Sequence, residues 1–291
     1  MKISAALVKE LRERTGAGMM ECKKSLTENN GDIEAAIEAM RKSGQAKADK
    51  KAGRIAAEGA VVIQQDDDNA IMVEINSETD FVSKSDDFKD FCNAVATTVL
   101  TAKPTDLEAL LTVNLHGSEK TVEKSRQDLI AKIGENINVR RFAIVNKSGN
   151  NVGAYLHGIK IGVLTNIQGG NSDLAKDIAM HIAASRPLCI SPEQVPADII
   201  AKEKDIYLAQ ANDSGKPASI IEKMVAGKLN KFLREVTLLG QPFIKDTDKT
   251  IEKLLKETNA TIVSFERFEV GEGIEKKTDN FVDEVMQQVQ K

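Results

Sequence analysis

The sequence predicts an α+β fold, and three observations carry that reading. The first fifty residues show only helical apolar stripes, two later stretches repeat the order strand, strand, helix, and a long helical pair interrupts the second of them. The expected architecture is three N-terminal helices, a core of two similar sheet-plus-helix subdomains, an inserted antiparallel helical hairpin and a C-terminal helical module.

Leu7, Val8 and Leu11 share one helical face, and the run Thr15, Gly16, Ala17, Gly18 stops that helix because glycine takes the backbone angles of a helix end. A second helix follows from about Met19 to Glu28. Asn29, Asn30 and Gly31 form the next turn, and Asp32 is placed to cap a third helix carrying the stripe Ile33, Ala36, Ile37, Met40. The stretch QAKADKKAGRIAAE, residues 45–58, is basic, rich in alanine and poor in large apolar side chains, so it reads as a solvated helical connector and a domain boundary.

GAVVIQQ and AIMVEINS flank the acidic turn DDDN, a hairpin signal, and a helix from near Asp86 aligns Phe88, Phe91, Cys92, Val95 and Val99. LEALL and residues 119–133 read as helices, and INVRRFAIVNK as a strand. The first order then returns: two strands from Gly153 to Gln168 and a helix from Asp173 to Ser185, a degenerate duplication. Pro187, Pro192 and Pro196 interrupt the chain before a helical pair turned at Ser214, Gly215 and Lys216. The chain returns through KFLREVTLLGQPF, a helix TIEKLLKETN, a strand TIVSFERFEV that closes the second sheet, and an amphipathic tail with Phe281, Val282, Val285 and Val289.

With 291 residues and 41% apolar content the chain fills real cores without staples, and its net charge of −4 supplies no overall positive field for a phosphate backbone. Direct nucleic-acid binding is not expected. Cys22, Cys92 and Cys189 are odd in number and far apart, so no disulfide framework or CxxC site is read from them. No apolar run approaches the roughly 20 residues of a membrane span, and the charged opening MKISAALVKELRERTG lacks a leader pattern, so the expected compartment is the cytoplasm.

Motifs for chemistry are missing. No GxxxxGK phosphate loop occurs, and GAGMME and GEGIEK fall short of a dinucleotide fingerprint. His116, His157 and His181 are too scattered for a paired metal pattern, and Asp66, Asp67 and Asp68 lack the spaced donors of a calcium loop. Lys47, Lys50, Lys51 and Arg54 have no interleaved aromatics, which favours a solvated face over a base-stacking patch. The expectation is no enzyme, no metal and no cofactor.

Two features stand out as contact points. Met19 and Met20 cannot both face one small core, so at least one is exposed; an adaptable protein contact and a harmless surface methionine are equally good readings. In Thr79, Asp80, Phe81, Val82, the residues alone favour a turn in which Phe81 plugs the hairpin's end while Asp80 bonds nearby amides. A probe held out toward another protein is the alternative.

The segments LVKELRERTGAGMMECKKSLTENNGDIEAAIEAMRKSG, TDFV, KIGENINVRR, YLHGIKIGVL, IAMHIAAS and RFEVGEGIEK occur in order along nearly the whole chain, and together they resemble the bacterial elongation factor Ts family. The first of them also resembles a ubiquitin-associated (UBA-like) three-helix module. The resemblance implies a guanine nucleotide exchange factor for elongation factor Tu in translation elongation, binding that partner in its GDP-bound and nucleotide-free forms. It further implies domains at 1–54 (UBA-like module and linker), 55–140 (first core subdomain), 141–185 with 229–270 (second core subdomain), 186–228 (inserted hairpin of a dimerisation type) and 271–291 (C-terminal module). By the same resemblance, Thr79, Asp80, Phe81 and Val82 disturb the partner's magnesium site, with Phe81 as the wedge. Arg12, Met19, Met20 and Lys23 face the partner's nucleotide domain, as does the last helix, and His157 meets its third domain. A homodimer or a two-to-two complex with the partner stays open. Other classes remain to be weighed: an adaptor working through the UBA-like module, and a hydrolase or metal enzyme built on His157 and His181.

Overall fold

A computed structural model describes residues 3–15, 17–212 and 217–275. It is a mixed α+β structure whose described residues divide into two compact units, those up to 62 with 73–142 and 269–275 in one, and those of 63–72 and 143–268 in the other.

The first unit opens with α1 (Ala5–Thr15), α2 (Met19–Glu28) and α3 (Ile33–Lys51). Their apolar stripes close a small core of Val8, Leu11, Cys22, Leu26 and Ala36, with Ile33, Ile37 and Met40 packed around it. The turn before α3 uses Asn30 and Gly31 at positive φ, and the Asp32 carboxylate accepts a hydrogen bond from the Ala35 amide at 3.0 Å, the predicted cap. One expectation is corrected here. Of the basic stretch 45–58, the part up to Lys51 continues α3 and packs against α7 (Val122–Ile133) instead of running as a solvated connector, while residues 52–55 are non-helical and exposed. Ala48 is buried, and a Cβ at Gly44 would sit 3.6 Å from that of Ala131. Small side chains let the two helix backbones approach, so the shortage of large apolar residues marks close packing.

β1 (Glu58–Gln65) and β2 (Asn69–Ser77) form the expected hairpin, and β3 (Asn138–Asn146) lies on the other side of β2. As the central strand, β2 is buried along its whole length. Between β2 and β3 come a one-turn helix α4 (Asp80–Ser83), then α5 (Asp86–Ala102), α6 (Leu107–Thr112) and α7. The α5 stripe is buried as its period predicts, from Phe88 through Val99.

Glu74 on β2 is fully buried and charged. Its Oε1 accepts from Arg140 Nη1 at 2.9 Å, the Gly271 amide at 3.0 Å and Asn76 Nδ2 at 3.1 Å, and its Oε2 from Arg141 Nε at 2.6 Å. Burial works against the charge, yet the Gly271 amide, the two arginines and Asn76 outweigh it and hold the carboxyl below its ordinary value.

In the second unit β4 (Asn151–His157) pairs antiparallel with β5 (Ile161–Gln168), Asn151 opposite Ile167 and His157 opposite Ile161, and β8 (Thr261–Glu269) flanks β5 as expected. α8 (Ser172–Ser185) lies on β4 and β5. Its approach is tight at Gly153, where a Cβ would fall 2.2 Å from the Ala175 carbonyl, so only glycine fits. Ile178, Ile182, Val163, Ile167, Leu238 and Phe243 form the core.

α9 (Ala197–Asn212) and α10 (Ala218–Val236) pack on each other as the predicted helical pair. Two details differ from expectation: α10 continues through KFLREV to Val236, and a short ribbon, β6 (Pro242–Phe243) with β7 (Asp246–Thr250), precedes α11 (Ile251–Glu257). The turn read at Ser214, Gly215 and Lys216, and the amphipathic tail of Phe281, Val282, Val285 and Val289, lie outside the described residues.

His181 on α8 is buried, its Nε2 3.0 Å from Gln241 Oε1 while its Nδ1 accepts from the Ile244 amide at 3.4 Å. Gln241 in turn donates to the carbonyls of Glu235 and Ser185, binding the end of α10 to the end of α8. Burial lowers the imidazole's pKa, with the Gln241 bond opposing it in part. The cysteines are free thiols, Cys22 and Cys92 buried and Cys189 half-buried. No helix among the described residues is long and apolar enough to cross a membrane.

Candidate functional site: the exposed Phe81 turn and the methionine groove

Thr79 ends the extended backbone after β2 and caps α4, its hydroxyl oxygen accepting from the Val82 amide at 3.3 Å. Successive residues of a helical turn are rotated by about 100°, so a four-residue helix seats one pair inward and the other outward. Val82 and Ser83 are buried, whereas Phe81 is 83% exposed. The plug reading, favoured from the residues alone, is therefore corrected. Val82 fills the inward position, which leaves no room for the larger ring. The helix cap itself comes from Thr79, whose hydroxyl oxygen accepts from the Val82 amide. Asp80 pairs with Lys84 at 2.6 Å, both side chains more than 60% exposed.

The turn is held from outside by residues that sequence reasoning missed. Glu135, just after the α7 cap Gly134, accepts from the Thr79 amide at 3.0 Å and from the Thr79 hydroxyl at 2.7 Å. In the reciprocal direction Glu78 accepts from the Asn136 amide at 2.6 Å and from Arg54 at 3.1 Å. The Asn136 side chain donates to the Arg54 carbonyl at 2.7 Å, and Lys51 donates to the Gly134 carbonyl. GENIN carries the acid and the amide, but their partners lie 56 or more residues away, and no local pattern points to them.

The N-terminal helices bring four predicted residues together. Arg12, Met19, Met20 and Lys23 line one groove with Ile3 and Val8 as its apolar floor. Met19 is 60% exposed and Met20 76%, so both face solvent where the sequence required only one to do so. Large apolar side chains left out of the core at adjacent positions, flanked by cations, form a patch suited to protein contact. His157 stands apart, in the second unit at the exposed end of β4, its ring stacked on Tyr155 at 6.4 Å and its Nδ1 3.3 Å from the Tyr155 hydroxyl. Among the described residues no group of three or more His, Cys, Asp or Glu side chains is placed to hold a metal ion.

A clamped turn presenting one bare aromatic ring and, elsewhere on the first unit, a groove lined with methionine are surfaces of the kind that suit a protein-binding protein. The sequence profile of the family Elongation factor TS matches residues 78–272. The chain is 59% identical to Elongation factor Ts of Thioalkalivibrio sulfidiphilus over 291 residues, 99% of each chain. It is 57% identical to that of Alkalilimnicola ehrlichii over 290 residues, again 99% of each. It is 58% identical to that of Legionella pneumophila over 289 residues, 99% of this chain and 98% of that one. The chain belongs to the elongation factor Ts family.

Proposed function

We infer that this chain is a guanine nucleotide exchange factor for elongation factor Tu in translation elongation, and that Phe81 is the side chain that disturbs the partner's magnesium site. Family membership carries the first statement. The exposure of Phe81, 83% on a capped and clamped turn, is the observation that supports the second. Burying a phenylalanine is worth roughly 2–3 kcal/mol, so a ring held in water is poised to recover that energy in a partner. Mg²⁺ demands near-ideal octahedral geometry and is held through few protein ligands, so a small displacement of the partner's backbone spoils the site. Asp80 exchanges its exposed bond to Lys84 for one to the displaced segment, a swap that costs little because surface ion pairs are weak.

In this reading the groove of Arg12, Met19, Met20 and Lys23 receives the partner's nucleotide domain, the C-terminal module joins it, and His157 contacts the third domain. The domain division is the one proposed from the resemblance: a UBA-like module and linker at 1–54, similar core subdomains at 55–140 and at 141–185 with 229–270, an inserted hairpin at 186–228, and a terminal module at 271–291. The chain performs no bond chemistry, binds no nucleotide itself and works in the cytoplasm. Linkage requires that GDP weaken its binding to the partner by the factor by which it weakens GDP binding, so the nucleotide-free complex is the tightest.

The test is release of fluorescent GDP from purified factor Tu under excess unlabelled GDP, at high and low magnesium. The protein accelerates release, and its relative effect shrinks at low magnesium. Phe81→Ala folds normally and binds but loses about thirtyfold in rate, the effect of about 2 kcal/mol at a contact hot spot. A wild-type rate for Phe81→Ala would remove the wedge.

A further inference from the structure

We propose that Glu135 is a positioning residue for nucleotide exchange: its carboxylate holds Thr79, and through it the short helix that aims Phe81. The proposal rests on the wedge reading above. A helix of four residues does not stand by its own hydrogen bonds, because nucleating a single turn fixes several dihedrals for one bond. Something outside must hold it.

Both donors of Thr79 go to Glu135, the amide to Oε2 at 3.0 Å and the hydroxyl to Oε1 at 2.7 Å. A hydroxyl has one proton, so giving it to the carboxylate turns a lone pair toward the Val82 amide, 3.3 Å away, and makes the cap. Glu135 therefore sets the direction of the cap as well as the position of the residue. The Thr79 carbonyl is held from its other side by the Ser77 hydroxyl at 2.9 Å. The reciprocal bond from the Asn136 amide to Glu78, at 2.6 Å, closes a double bracket between residues 78–79 and 135–136. Bidentate acceptance by an ion is both stronger and more directional than a single neutral bond. Glu135 itself is only half-buried, so the bracket sits at the surface beside the projecting ring.

Without the carboxylate the Thr79 hydroxyl is free to rotate, the turn frays, and Phe81 spends part of its time in other poses. Exchange falls by the fraction of molecules with the ring correctly aimed. Docking elsewhere on the surface is untouched, so the concentration of this protein that half-saturates GDP release stays the same while the limiting rate drops.

The experiment measures limiting rate and half-saturating concentration of GDP release from factor Tu for wild type, Glu135→Ala, Glu135→Gln, Phe81→Ala and the double variant Phe81→Ala with Glu135→Ala, each checked by thermal melting. Glu135→Ala lowers the limiting rate about fivefold with an unchanged half-saturating concentration, and Glu135→Gln, which keeps one acceptor, falls between. The double variant is no slower than Phe81→Ala, the non-additivity of two residues acting as one. Thr79→Val, which keeps the amide and loses the cap, follows Glu135→Ala. A wild-type limiting rate in Glu135→Ala, a changed half-saturation alone, or additive losses in the double variant would overturn the positioning role. A wild-type rate in Phe81→Ala overturns the wedge reading instead, and the two failures are read from different proteins in the same assay.

Discussion

Replacing Glu74 by glutamine tests whether one buried carboxylate organises the end of the first unit. The substitution keeps shape and volume but removes the charge and puts an NH₂ group where one carboxylate oxygen had been. If that group falls at Oε2, it faces Arg141 Nε, 2.6 Å away in the native protein, donor against donor. If it is flipped, it meets Arg140, Asn76 and the Gly271 amide. Removing one partner from a buried ion pair costs about 3–5 kcal/mol. Arg140 and Arg141 are 23% and 33% exposed, so water recovers part of their solvation. The loss is thus expected at about 3 kcal/mol, which lowers the melting temperature by about 6–12 °C for a unit of this size. Circular dichroism melts of wild type and Glu74→Gln measure it directly.

The pH dependence supplies the sign. A carboxyl whose folded pKa is depressed contributes stability that is present above its unfolded value, about 4.3, and is lost as pH falls through the folded value. The gap between wild type and variant is therefore widest at neutral pH and narrows as pH falls below about 5 toward the folded value. A loss under about 1 kcal/mol, or a gap that ignores pH across that range, refutes the reasoning, because either would mean that the arginines find equal partners without the charge.

For His181 the sign follows from the same linkage: a histidine held neutral by burial makes the fold less stable as pH drops below about 6.5, and His181→Gln flattens melting temperature against pH below that value. A slope unchanged in the variant assigns it to other groups. Gly153→Ala forces a methyl into the Ala175 carbonyl and is expected to cost about 2–3 kcal/mol in urea unfolding, against a few tenths for an open strand position. Wild-type stability there would mean that β4 and α8 do not approach as closely as described.

Most of the secondary structure was legible because it is written locally. Asp32, Thr121, Asn171 and Thr250 each accept from the amide three residues on, and the apolar residues that follow them repeat with the helix period. The fate of Phe81 was not legible from the residues alone, and only the family resemblance pointed it outward. Whether a ring at a strand's mouth turns in or out depends on which neighbour fills the inward position, here Val82, and the turn's outside anchor, Glu135, is distant in sequence. The second half of α3 misled for a related reason: alanine and glycine read as absence of core, yet they permit helix contact, and that distinction exists only once α7 is in place. The β6 and β7 ribbon was missed because Pro242 and Phe243 are too few to show any period. Arg12, Met19, Met20 and Lys23 were legible as a set through family resemblance, while their meeting in one groove required α1 and α2 to pack.

The unbroken course of α3 has a consequence for recognition. Its 19 residues make a rod about 28 Å long, rooted at one end in the methionine-bearing helices. At the other end, Asn136 and Lys51 tie it into the loop that grips Thr79. A slack tether in its place would bring the second contact to the partner at only millimolar effective concentration and at any separation within reach. A rod turns the surface into a gauge. In the docking proposed above, a protein whose two receiving pockets match that fixed span engages both at once, and one whose pockets lie nearer or farther is refused by geometry alone.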